Sequence, residues 1–259
     1  MPSVHAALYD AIEGLADVPL LLVAMDFDGT MSPIVPRPED ARPLPAAAAA
    51  LEALAELPGT TTAILSGRDL ASLRRVASPG PETLLVGSHG AERWAPEHFH
   101  ADGSDVVLDA RQLRLLETVR ARFAAVAAGC PGATLEDKPA GVVLHVREAD
   151  PAVWNVTLAA GRAELEDVEG VTLKDGKAVL EASVVRADKG SGLEWLREVV
   201  DASAVLFAGD DLTDEEAFAR LQPGDIGVKV GPGPTRAQYR MDGPGAIPGL
   251  LRAILDVRA

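Results

Sequence analysis

The 259 residues include 24 Lys and Arg against 39 Asp and Glu, a formal charge of −15. With 47% hydrophobic and 24% charged residues the chain has the composition of an ordinary globular protein, long enough for one large domain or two small ones. The acidic balance argues against a nucleic-acid surface, the early apolar run 18–25 is far too short to cross a bilayer, and the single cysteine, Cys130, can form neither an internal disulfide nor a zinc cluster. No basic segment followed by an apolar stretch and a cleavage site opens the chain. The expectation is a cytoplasmic protein, compatible with a monomer, without nucleic-acid or membrane partners.

Val4, Leu8, Ile12 and Leu15 recur at helical spacing and predict an opening amphipathic helix. Residues 20–25 then form a continuous apolar run that stops at Asp26, the pattern of a strand covered on both faces. The same texture returns at 61–65, 83–86 and 205–208, with helical stretches at 46–57, 69–76 and 190–200. Strands alternating with helices predict a doubly wound α/β sheet that works at the carboxyl ends of its strands.

Residues 105–185 have another rhythm. Leu113, Leu116, Val119 and Phe123 mark a helix, two short alternating strands follow, and Asp150-Pro151 supplies an N-cap and first turn for a second helix with Val153, Trp154, Leu158 and Leu165. Strands at 171–175 and 178–182 close the segment. This reads as helix-strand-strand twice over, inserted as a lid, with 1–104 and 186–259 forming the core.

Asp26-Phe27-Asp28-Gly29-Thr30 sits where the first strand ends, and a period of two starts both carboxylates on one side. Two adjacent carboxylates repel unless a cation, a shared proton or a role justifies them. Gly209-Asp210-Asp211 follows a late strand in the same way and opens a stretch with five carboxylates in residues 210–216. Oxygen-only ligands from two strand ends suit magnesium. Leu65-Ser66-Gly67-Arg68 leads from a strand into a helix, where a hydroxyl and backbone N–H groups make an anion site. Asp188-Lys189-Gly190 puts a lysine at a helix entry, against the dipole, which a bound phosphate or carboxylate would explain.

These four pieces, in this order, resemble the haloacid dehalogenase superfamily of aspartate-nucleophile phosphatases. With Ser88-His89-Gly90-Ala91-Glu92 and Gly209-Asp210-Asp211-Leu212-Thr213-Asp214-Glu215, the chain is similar to the trehalose-6-phosphate phosphatases within it. The resemblance implies a Rossmann-like core with an inserted α/β cap of the C2 type. It implies Asp26 as nucleophile, Asp28 as general acid and base, and Lys189 as a third catalytic group. Thr30, Ser66 and Gly67 would hold the phosphate. Mg²⁺ would be held by Asp26, the Asp28 carbonyl and Asp210, with Asp211 as an outer partner. His89 and Gly90 would join the sugar site of a disaccharide phosphate.

In the lid, alternation puts Val142, Leu144 and Val146 on one face and Val143, His145 and Arg147 on the other. Glu136 pairs in the same way with Lys138, and Lys177 with Glu181. The apolar faces should pack on the lid helices and leave the charged groups on an open sheet surface. A solvated sheet face explains this as well as a ligand does. Similar phosphatases use such Glu, Lys, His and Arg residues to grip sugar hydroxyls. Where that family commonly reads His-Tyr-Arg and Glu-x-Arg-Pro, this chain has His145-Val146-Arg147 and Glu181-Ala182-Ser183-Val184, which leaves the sugar open. Another glycosyl phosphate, such as sucrose phosphate, mannosyl-3-phosphoglycerate or a pseudo-disaccharide phosphate, is the nearest alternative. A receiver-type signalling domain needs neither Asp28 nor the lid, and an inactive binding module would not need all four motifs.

Overall fold

The computed structural model describes residues 6–99, 108–185 and 187–259. In chain order the elements are α1 (Ala6–Glu13), β1 (Leu21–Met25), α2 (Pro45–Ala55), β2 (Thr60–Leu65), α3 (Leu70–Ala77), β3 (Leu84–Gly87), β4 (Glu92–Trp94), α4 (Ala110–Ala128), β5 (Thr134–Lys138), β6 (Gly141–His145), α5 (Trp154–Leu165), β7 (Thr172–Gly176), β8 (Val179–Ser183), α6 (Lys189–Val200), β9 (Ala204–Gly209), α7 (Asp214–Phe218), β10 (Ile226–Val230), β11 (Tyr239–Met241) and α8 (Ile247–Arg258). The chain divides into two compact units, 1–105 with 187–259, and 106–186. The expected boundary at 104/105, and the first residue of the opening helical pattern, Val4, lie outside the described residues.

The larger unit holds a seven-stranded sheet ordered β11-β10-β9-β1-β2-β3-β4, and its strand pairs are parallel except β3 with β4. The continuous apolar texture of β1 has a direct cause. Leu21, Val23 and Met25 pack into a core with Leu8, Leu54 and Leu250, while Leu22 and Ala24 pack into a second core with Leu196, Phe207 and Phe218. Helices cover both sheet faces, so both side-chain sets of a central strand must be apolar. Register fixes the working edge. Met25 pairs with Ala208 on one side and Ile64 on the other, which brings the loops after β1, β9 and β2 to one sheet edge.

The smaller unit is a four-stranded antiparallel sheet, β5-β6-β8-β7. Val142, Leu144, Leu180 and Ala182 on one face form a core with Val119 and Phe123 of α4 and Leu165 of α5. An Asp109–Gln112 capping box starts α4. Asp150 accepts a bond from the Ala152 amide in a short turn, so α5 begins at Trp154 and Val153 precedes it. Among the described residues no helix is long and apolar enough to cross a membrane.

Candidate active site

Asp26 follows β1, and its amide donates to the Ala208 carbonyl at 2.9 Å, continuing the ladder one residue past the strand. The residue is 4% exposed. Lys189, the first residue of α6 and 2% exposed, donates from Nζ to Asp26 Oδ1 and to Asp214 Oδ1, each at 2.6 Å. The lysine at a helix entry thus has its answer in two carboxylates of the protein itself. Asp188 caps α6 through the Ser191 amide, at 2.7 Å, and so fixes where Lys189 departs.

Asp26, Asp210 and Asp214 each offer an oxygen within 4.8 Å of the others. Of the four residues expected at the metal, Asp26 and Asp210 belong to this trio, which Asp214 completes; Asp28 was expected to contribute its main-chain carbonyl, and Asp211 lies outside the trio. Asp211 is exposed, and its carboxylate accepts from the Leu212 amide at 2.6 Å, while its own amide donates to Asp214 Oδ2 at 2.7 Å. The chain turns into α7 there, so Asp214 points inward and Asp211 outward. Lys229, buried on β10, donates to the carbonyl of Asp210 and holds the loop down. Gly29, at φ 89°, is required because a Cβ there would fall 2.1–2.5 Å from the Asp210 carboxylate.

A divalent cation fits this donor set. Asp26 Oδ2 and Asp210 Oδ1 are both buried and without a hydrogen-bond partner, an arrangement that costs free energy unless a ligand satisfies them. Burial raises the pKa of Asp26 well above the usual carboxylate range, with Lys189 opposing and the Asp214 and Asp210 charges adding to the rise. Burial also pushes Asp210 up to about 6, helped by Asp214 and opposed by Lys189. For Lys189, burial alone would lower the pKa, but the combined charges of Asp26 and Asp214 outweigh it and raise the value.

The Asp210 shift has a stability consequence. A group with a raised folded pKa contributes stability below its ordinary value, and loses it as pH rises through the folded value. The metal-free protein should lose this contribution between about pH 4 and pH 6. Asp210→Asn, which cannot ionise, should gain on the wild type by roughly 2–4 °C in Tm between pH 5 and pH 7, from about 1 kcal/mol after screening of a partly exposed carboxylate. Melting curves in chelator check this, and a difference that stays flat with pH overturns it.

The phosphate candidates occupy the same edge. Thr30 is buried and its Oγ1 has no hydrogen-bond partner; Ser66 is buried, with Oγ accepting from the Arg68 amide at 3.2 Å. The anion site expected at the start of α3 takes a different form. Asp69 caps α3 through Ser72, at 2.7 Å, and Glu92 accepts from the Leu70 amide at 3.2 Å. Carboxylates therefore already answer those helix amides. Glu92 also accepts from Ser88 Oγ, which ties the 66–70 segment to the 88–92 turn. In that turn His89 adopts φ 54°, its amide donates to the Ser66 carbonyl at 3.0 Å, and its ring lies where a Cβ on Gly67 would be. Gly90, at φ 107°, passes so close to Asp188 that a Cβ would lie 2.4 Å from its carbonyl oxygen. His89 and Gly90 thereby lock the Ser66 and Lys189 loops together.

Asp28 is held differently from Asp26. Arg68 donates from Nε and Nη2 to its two oxygens, at 2.5 and 2.7 Å, with the guanidinium over the Phe27 ring. Such a fork sets carboxylate orientation as well as charge.

In the smaller unit, Glu136, Lys138, Val143, His145, Glu181 and Lys174 share one sheet face by register. His145 bonds Glu136 at 2.7 Å and Lys138 donates to Glu181 at 3.1 Å. The face is less open than expected: Val143 is buried, and the side chains of Lys138 and Glu181 are only 11% and 17% exposed. Two expected members leave it. β6 ends at His145, so Arg147 lies in the following turn, exposed; Lys177 lies in the β7–β8 hairpin turn. Alternation cannot be extrapolated past a strand end. The Ser183 hydroxyl is within 3.2 Å of the Ala140 carbonyl and 3.0 Å of the Val185 carbonyl.

Sequence reasoning did not assign Asp214, Lys229, Glu92, Lys174 or the Arg68 fork. A lysine inside the apolar run Ile226–Val230 was the available signal for Lys229.

A parallel sheet with two aspartates after its first strand, a buried lysine on a later helix and an inserted α/β unit define a member of the haloacid dehalogenase superfamily with a cap domain. The chain belongs to the trehalose-phosphatase family, whose model matches residues 24–244. Trehalose-phosphate phosphatase of Mycobacterium avium (strain 104) is 35% identical over 260 residues, covering 94% of this chain; the chain spans 64% of that relative's length. Aspergillus fumigatus trehalose-6-phosphate phosphatase superposes with a TM-score of 0.70 at 26% identity, covering 99% of each chain. The C-terminal domain of Candida albicans trehalose-6-phosphate phosphatase has the same fold, with a TM-score of 0.77, 23% identity and 98% of each chain covered.

Proposed function

We propose that this chain hydrolyses trehalose 6-phosphate to trehalose and inorganic phosphate, with Mg²⁺ as its metal. The observation that carries the reading is the buried Lys189 joined to Asp26, whose second carboxylate oxygen is buried and unpartnered. That oxygen is a nucleophile held in place. In the proposed reaction it bonds to phosphorus as the bond from phosphorus to the sugar oxygen breaks, leaving an aspartyl phosphate. Asp28, once protonated and turned off the Arg68 fork, gives the departing oxygen its proton, then takes one from the water that attacks phosphorus and frees Asp26. Lys189, Ser66, Thr30 and the Gly67 backbone stabilise the phosphoryl oxygens. Mg²⁺, held by Asp26, Asp210 and the Asp28 carbonyl, would offset negative charge on the transferring group.

Glu136, Lys138, His145 and Glu181 are assigned to the sugar, with His89 and Gly90 beside the phosphate loops. Charged donors and acceptors suit hydroxyls, since each hydroxyl can donate and accept. We place the enzyme in the cytoplasm as a monomer acting on a soluble sugar phosphate.

Phosphate release from trehalose 6-phosphate, sucrose phosphate, mannosyl-3-phosphoglycerate, glucose 6-phosphate and p-nitrophenyl phosphate tests the reading. Trehalose 6-phosphate should give the highest kcat/KM, chelator should remove activity, and Mg²⁺ but not Ca²⁺ should restore it. A higher kcat/KM on another glycosyl phosphate would replace the sugar. Undiminished activity in excess chelator would remove the metal, and no release from any ester would overturn the phosphatase.

A further inference from the structure

Four of the five charged or titratable side chains on the polar face of the smaller sheet bond one another in pairs. The fifth, Lys174, does not. It stands directly opposite Glu181 in the β7–β8 register, and Glu181 Oε2 is already engaged by Lys138. Lys174 Nζ is buried without a hydrogen-bond partner. A lysine that merely lays its stem on a sheet keeps its ammonium in water. A sealed ammonium with three unused donors is costly, and an arriving acceptor recovers that cost.

We propose that Lys174 is a specificity-determining residue that donates to a hydroxyl oxygen of the sugar. The inference rests on the sugar-phosphate reading above and deepens it. The face pairs two carboxylates, Glu136 and Glu181, with two lysines, Lys138 and Lys174, so its formal charges match. Such a face fits a neutral polyhydroxylated ring, and it offers no surplus cation to a sugar carrying a carboxylate. The hydroxyl that meets Lys174 can in turn donate to the free Glu181 oxygen, so one ring position would use both residues.

The test compares wild type, Lys174→Met and Lys174→Arg on trehalose 6-phosphate and p-nitrophenyl phosphate. Methionine keeps most of the stem and removes the donors. Lys174→Met should lower kcat/KM on the sugar phosphate at least about 10-fold, mostly through KM, and leave the small ester within about twofold. Its Tm should equal or exceed that of the wild type, because a sealed, unpartnered charge is removed. Lys174→Arg should recover part of the loss. Equal losses on both substrates, no loss on the sugar phosphate, or a Tm several degrees lower would each overturn the inference, the last by making Lys174 a structural counter-charge for Glu181. Failure of the parent reading shows first in the wild type, as no turnover of trehalose 6-phosphate. The comparison is then made on the glycosyl phosphate that the wild type does hydrolyse, and if it hydrolyses none the inference falls too.

Discussion

Asp26→Asn should abolish phosphate release, by on the order of 10⁴-fold or more, without unfolding the protein. The amide matches the carboxylate in shape, and its carbonyl oxygen can still accept from Lys189. The amide nitrogen, placed where the unpartnered oxygen now stands, is no nucleophile. Stability should not suffer, because burial already raises the Asp26 pKa and a neutral side chain avoids repulsion from Asp214 and Asp210. Divalent-cation affinity should fall with the lost charge. Turnover, melting temperature and metal binding measured on one preparation check all three, and turnover near the wild-type rate would sink the nucleophile assignment.

The second large effect belongs to Lys189. Its ammonium is the shared partner of Asp26 and Asp214, and all three side chains are almost wholly buried. Removing the one cation of this cluster leaves its two buried carboxylates uncompensated, which costs about 3–5 kcal/mol. Lys189→Met should therefore lower Tm by roughly 10 °C at pH 7 and lose activity by about 10²–10³-fold. The pH dependence has a definite sign. A lysine with a raised folded pKa contributes stability at every pH below its ordinary value near 10.4 and loses it only above that. The defect should thus be full at neutral pH and shrink in acid, where the exposed cost is removed by protonating Asp26. Excess divalent cation should restore part of the Tm by supplying another counter-charge. A variant as stable as wild type at pH 7 would contradict the buried triad.

Three of the four superfamily motifs were legible because each lies where a short apolar run ends, and such runs announce buried parallel strands. The run 20–25 is apolar at every position because two cores meet at β1, one under α1, α2 and α8 and one under α6 and α7. Asp26, Ser66 and Asp210 were therefore found before any contact was known, and Lys189 by its place at a helix entry. The edge elements escaped for the converse reason. β4 and β11 have three residues each, and α7 has five, too few to establish a period.

What sequence alone determined, then, was the fold class, the order of the motifs and the polar residues that end the strands, since these depend on local pattern and chain order. Three matters were left to tertiary structure. Spacing put Asp210, Asp211 and Asp214 in one acidic stretch, but only the turn into α7 decided that Asp214 faces Lys189 and Asp211 faces solvent. Asp28 and Arg68 are forty residues apart, and only the β1–β2 register brings their loops to one edge. On the smaller sheet, alternation named Lys177 and Arg147, whereas the ends of β6 and β7 put both in turns and left Lys174 opposite Glu181. Sequence pattern records how often a residue is buried; which partner buries it is fixed by register and turn geometry between segments far apart in the chain.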